Sequence, residues 1–125
     1  MSQSANYSVI FDAERFRKDL RQVSWHLPHN AHLGSPSILA FMLRIQTPAD
    51  TVNFRVRING HSVFHFTFYD NSDSFPTNRY GPWMEVVQKE VLLHGENIMN
   101  FDFETDEDDS YLSVSDAVLW WQANN

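Results

Sequence analysis

With 125 residues, the chain is long enough to bury one sizeable core and leaves little room for a second. Nine Lys and Arg against sixteen Asp and Glu give a formal net charge of −7, so there is no basic stripe for a phosphate backbone and anionic lipid surfaces are repelled. Cysteine is absent, which excludes disulfides and thiolate metal sites.

Apolar residues make up 42% and include ten Phe, four Trp and four Tyr, an enrichment in rings that suits half-buried pleated sheets. Met1-Ser2-Gln3-Ser4 lacks the basic and apolar segments of a signal peptide, and no apolar run is long enough to span a bilayer. The expectation is a soluble, single β domain over residues 1–125, in a compartment the sequence does not identify, with neither nucleic acid nor an inserted membrane as partner.

Residues 7–11 (YSVIF) form the first strand candidate. Residues 12–24 are ambiguous, because Phe16, Leu20 and Val23 keep helical spacing behind Asp12 while residues 20–27 also read as extended. At most one short helix is expected there. Residues 37–46 are apolar on both alternations, as in a central strand covered on both sides.

Val52, Phe54, Val56 and Ile58 then alternate with Asn53, Arg55 and Arg57, the period of a half-buried strand. Asn59-Gly60 follows as a hairpin turn, because both residues tolerate positive φ, and residues 61–69 return. Regular pairing after a two-residue turn places Val52, Phe54, Val56, Ile58 and Val63 on the core face. Asn53, Arg55, Arg57, Phe64, Phe66 and Phe68 then share the other face, as a possible ligand platform. A bulge would instead turn the three Phe inward, and the sequence leaves both registers open.

Residues 70–82 form a long polar loop with embedded aromatics. Residues 83–93 and 97–103 read as strands joined at His94-Gly95-Glu96. An acidic loop over 104–109 leads to a closing strand over 112–122. This succession of short strands predicts an all-β, antiparallel β-sandwich.

The C-terminal half, with Val91-Leu92-Leu93, Gly95-Glu96-Asn97-Ile98 and the closing Leu112-Ser113-Val114-Ser115-Asp116-Ala117-Val118-Leu119-Trp120, resembles the ending of galactose-binding-like jelly rolls. Many carbohydrate-binding modules belong to that group. Phe11-Asp12-Ala13-Glu14 is similar to the opening of its calcium-containing members, although the family usually begins with Glu-Ala-Glu. The resemblance implies a jelly-roll fold and carbohydrate binding. Carried over residue by residue, it implicates Asp12, Glu14 and Asp116 at a structural calcium.

For the ligand, Asp73, Asn78, Arg79, Tyr80 and Trp83 in the long loop combine rings that stack on sugar CH faces with groups that hydrogen-bond to hydroxyls. His26, His29 and His32, and His61 with His65, have spacings that invite a metal reading, but they read more simply as incidental. The run Glu104 to Asp109 lacks the spacing and glycine of an EF-hand. No nucleophile elbow, phosphate-cradling loop or singled-out pair of carboxylates marks catalysis, so no catalytic residue is assigned. An enzyme using His65 or a carboxylate remains a third reading. The alternative to a lectin-like module is a non-catalytic oligomeric assembly protein, with the Phe-rich strand and Trp120-Trp121 between subunits.

Overall fold

The alternation of apolar and polar residues folds into two layers. The computed structural model describes residues 3–16, 21–46, 51–69, 81–104 and 111–124; they form eight strands and no helix. The strands are β1 (Gln3–Phe16), β2 (Arg21–Leu27), β3 (Ser37–Gln46), β4 (Thr51–Ile58), β5 (His61–Tyr69), β6 (Gly81–Val87), β7 (Gly95–Glu104) and β8 (Tyr111–Asn124). They make two antiparallel sheets, ordered β1-β8-β3-β6 and β2-β7-β4-β5. That interleaved order is a jelly roll's.

The ambiguity over residues 12–24 resolves as extended chain on either side of 17–20, which lie outside the described residues. The helical spacing of Phe16, Leu20 and Val23 is overridden by strand pairing: Phe16 sits opposite Leu112 on β8 and Val23 opposite Met99 on β7. The strand expected over 83–93 ends at Val87, and the connection to β7 runs through residues 88–94 rather than 94–96. Glu90 at φ 77 within that connection and Gly95 at φ 81 at its end take conformations that an uninterrupted strand does not use.

At Asn59-Gly60 the turn is as tight as expected, with φ of 51 and 83. Ile58 pairs with His61 and Arg57 with Ser62, but Val56 then pairs with Phe64 and Phe54 with Phe66. The extra residue, Val63, is a bulge that reverses the facing of the rest of β5. Phe64 therefore turns inward to meet Phe41 and Phe54, with ring centroids 5.8 and 5.5 Å away. The regular register, with Phe outward beside Arg55, does not form. The same bulge puts His61 and His65 out of phase, so they do not share a face.

The core is one apolar cluster between the sheets. From β4 come Val52, Phe54, Val56 and Ile58, from β7 Met99, Phe101 and Phe103, and from the facing sheet Leu39, Phe41, Leu43, Ile45, Leu112, Val114 and Leu119. Phe54 stacks on Phe101 at 6.2 Å and meets Phe41 edge-on at 6.1 Å. Each large side chain so buried stabilises the fold by about 1.5–3 kcal/mol.

Asn97, fully buried on the core side of β7, is the polar exception. Its Oδ1 accepts from Leu93 N and Asn59 Nδ2 at 2.8 Å, and its Nδ2 donates to Leu93 O at 2.8 Å. Asn59 also donates to Val91 O at 2.9 Å and accepts from Ile98 N at 3.0 Å. Two asparagines thus staple the β4–β5 turn to the β6–β7 connection, and satisfied bonds offset the cost of burying an amide.

Candidate functional site

Because side chains alternate, the outer face of the β2-β7-β4-β5 sheet is set by the polar half of each strand. β4 contributes Asn53, Arg55 and Arg57, β7 contributes Asn100, Asp102 and Glu104, and β5 contributes His65 and Thr67. Arg55 lies opposite His65 on one side and Asp102 on the other, while Asn53 lies opposite Thr67 and Glu104. Together Asn53, Arg55, His65, Asp102 and Glu104 line a groove of about 280 Å³, near the lower end of ligand-site sizes.

The groove mixes cationic donors with anionic acceptors. Thr67 Oγ1 donates to Asn53 Oδ1 at 2.6 Å, which fixes the amide. Arg57 approaches Asp102 at 3.9 Å, a long ion pair between groups about one-third exposed, which is worth little on its own. The Arg55 Nε itself is buried without a hydrogen-bond partner. Among the described residues, no Phe, Tyr or Trp lines the groove.

Of the sequence-predicted ligand residues, Trp83 alone is among the described ones. Asp73, Asn78, Arg79 and Tyr80 lie outside the described residues. Trp83 is half-buried on the inner side of β6 and packs against Phe64 and Phe66, each at 5.7 Å, where the sheets meet along β5 and β6. It is a wedge in the sandwich edge, with Phe66 partly exposed beside it.

Asp12 and Asp116 occupy facing stretches of β1 and β8. They stand between the register pairs Phe11↔Ala117 and Ala13↔Ser115 on β1 and β8, both exposed. Ser115 Oγ donates to Asp116 Oδ2 at 3.3 Å. Glu14 pairs with Val114 along the same strands, and its side chain is outside the description. Two hard oxygen donors at facing positions suit calcium in kind, though calcium takes six to eight oxygens. Among the described residues, no group of three or more His, Asp or Glu is placed to hold a metal ion. The histidines serve locally: His94 Nε2 lies 2.8 Å from Ala31 O, and His32 Nδ1 lies 2.9 Å from Ser35 Oγ.

The opposite outer face, on the β1-β8-β3-β6 sheet, is apolar. Tyr7, Trp120, Ile38 and Val86 form one row across its four strands, and Val9, Val118, Ala40 and Met84 form the next. On the outer side of β3, Ile38 is exposed and Ala40 and Met42 are half-buried, where the sequence pattern predicts burial on both sides. Trp120 and Trp121 point to opposite faces as strand geometry requires, with Trp121 buried and its Nε1 donating to Ser8 Oγ at 3.0 Å.

Sequence reasoning placed Asn53, Arg55 and Arg57 on a common outer face but missed Asp102 and Glu104. Their signal was the alternation of Asn100, Asp102 and Glu104 with Met99, Phe101 and Phe103, the same period as β4. Among the described residues, no helix is long and apolar enough to cross a membrane.

No family model and no curated protein matches the chain by sequence. Solved structures do match its fold. Dimeric latent PorU from Porphyromonas gingivalis superposes with a TM-score of 0.67 at 11% identity, over 98% of this chain and 13% of PorU, so this chain spans a small part of that protein's length. Infectious bursal disease virus, Gx strain, gives a TM-score of 0.53 at 8% identity, over 99% of this chain and 32% of the viral one. The CBM36-1 domain of a multidomain xylanase, from the hindgut metagenome of Trinervitermes trinervoides, gives 0.51 at 8% identity, over 98% of this chain and 99% of that domain. The chain thus has a jelly-roll sandwich fold that is similar, along nearly its whole length, to that of a carbohydrate-binding module.

Proposed function

We propose that this chain is a carbohydrate-binding module that holds its ligand in the groove of Asn53, Arg55, His65, Asp102 and Glu104. The observation that carries the reading is the groove's mixture of facing donors and acceptors, with Arg55 and His65 beside Asn53, Asp102 and Glu104. Vicinal hydroxyls both donate and accept. Neighbouring guanidinium, carboxylate and amide groups match them in ways an all-acidic or all-apolar site does not. The fold similarity to the CBM36-1 domain supports the same reading.

β5 leaves this end of the sheet toward residues 70–80, so Asp73, Asn78, Arg79 and Tyr80 belong to the reading as a second set of contacts, with Trp83 and Phe66 at the neighbouring edge. On the same reading Asp12, Asp116 and Glu14 hold calcium, whose chemistry there is to neutralise and brace facing carboxylates on β1 and β8. That position is on the other sheet from the groove, so the metal acts on stability rather than on the sugar.

A glycan array run with and without chelator is the test. Binding to a defined glycan class is expected, and Arg55→Ala should weaken it at least about tenfold by removing charged hydrogen bonds. Chelation should lower the melting temperature, and Asp116→Asn should abolish that response. An array blank under both conditions would end the carbohydrate reading. Binding that survives Arg55→Ala but is lost in Tyr80→Ala would move the site to residues 70–80. Release of reducing ends from a bound glycan would replace the module with an enzyme.

A further inference from the structure

The apolar outer face of the β1-β8-β3-β6 sheet has no part in that reading. Its two rows cross all four strands without a charged residue, and neighbouring strands bring Tyr7 against Trp120 with ring centroids 5.2 Å apart. Met84 is 65% exposed, Tyr7 61%, Val9 52% and Trp120 46%. With Ile38 and Val86, the exposed side chains present roughly 600 Å² of apolar surface, at the top of what a monomer's largest patch usually reaches.

We infer that this face is the interface of a homodimer, in which a second copy of the chain packs sheet on sheet across a two-fold axis. Size is the first argument: the patch plus its half-buried neighbours Val118, Ala40 and Met42 approaches the ~800 Å² per partner of a standard stable interface. Shape is the second. Side chains on a pleated face interdigitate with those of another sheet about 10 Å away, as they do inside a sandwich.

Charge selects among occupants. The net charge of −7 and the absence of any cation in the two rows disfavour an anionic membrane. Polar groups lie outside the rows, with Gln122 beyond one and Asp12, Asp116, Arg15 and Arg44 beyond the other. That is the dry centre and polar rim of an interface, with a Trp and a Tyr in the apolar part. A second copy brings the same flat, uncharged rows to a symmetric contact.

The test is sedimentation equilibrium on the full chain at about 1–100 µM, in the concentration range of micromolar association. A monomer–dimer equilibrium is expected, and Trp120→Lys should weaken it at least about tenfold with the far-UV circular dichroism unchanged. Met84→Glu provides a second, independent lesion at the patch and should do the same. Because like-charged copies repel, raising ionic strength from ~20 to ~300 mM should tighten the dimer several-fold. A chain that stays monomeric across the range overturns the inference, as does a dimer indifferent to both folded variants. A monomer that loses retention on insoluble polysaccharide through Trp120→Lys would also overturn it, by assigning the face to sugar.

Discussion

The two outward faces of the sandwich are built from the same period-two alternation and end in opposite chemistry. On the β2-β7-β4-β5 sheet, nearly every outward position from Asn53 to Glu104 is polar, and the inward positions of β4 and those of β7 from Asn97 to Phe103 are buried. On the β1-β8-β3-β6 sheet, Tyr7, Val9, Ile38, Met84, Val86 and Trp120 point outward although Leu39, Phe41 and Leu119 already fill the core behind them. The first face offers directional bonds and groups that water can satisfy. The second offers area that water does not reward. One fold therefore presents two separate surfaces, one suited to a polar small ligand and one to a flat apolar partner.

The most severe way to break this contrast is to empty the place that the bulge gives Phe64. Phe64→Ala removes a buried ring that packs against Phe41, Phe54 and Trp83. A loss of about 3–5 kcal/mol of unfolding free energy is expected. Urea denaturation measures it, and an unchanged midpoint would show that the inward ring does not hold β5 to the core.

Next in size is Asn97→Ala, which leaves the Leu93 amide and carbonyl and the Asn59 side chain without their buried partner. A cost of about 2–3 kcal/mol is expected in the same measurement. Gly60→Val should cost ~1–2 kcal/mol, because Gly60 sits at φ 83, where β-branched side chains clash with the backbone, while the space around it is open.

The smallest effects sharpen the contrast most. Arg55→Ala and Met84→Glu should each change monomer stability by less than ~0.5 kcal/mol, being surface changes on opposite faces. The first should weaken glycan binding and leave self-association alone. The second should do the reverse. If either variant disturbs both properties, the faces are not independent, and chemical denaturation beside the two binding measurements would reveal it.

Much of the fold was legible because the period was clear. Val52 to Ile58 and the Asn59-Gly60 turn stand where alternation and turn chemistry put them, and the jelly-roll resemblance of the C-terminal half agrees with the strand order. What the sequence hid were features that depend on pairing partners. A bulge at Val63 is a property of two strands, because Phe64 turns inward only when Phe41 and Phe54 are there to receive it. The half-exposed state of β3 was likewise invisible: Ile38, Ala40 and Met42 read as buried, yet Ile38 is exposed and the other two are half-buried. The groove was half legible, in Asn53 and Arg55, and its acidic wall followed only once β7 lay beside β4.

Asp116 has a wider consequence. At φ 53 it adds a residue to β8 against β3, at the level where Ile10 adds one to β1. These paired irregularities lie across the sheet between the apolar rows and the stretch bearing Arg15, Tyr111 and Arg44, where Arg15 rests 4.1 Å over the Tyr111 ring. A bulge bends its strand and raises the local twist, so Asp12 and Asp116 stand at the level of this sheet where two neighbouring strands change direction together.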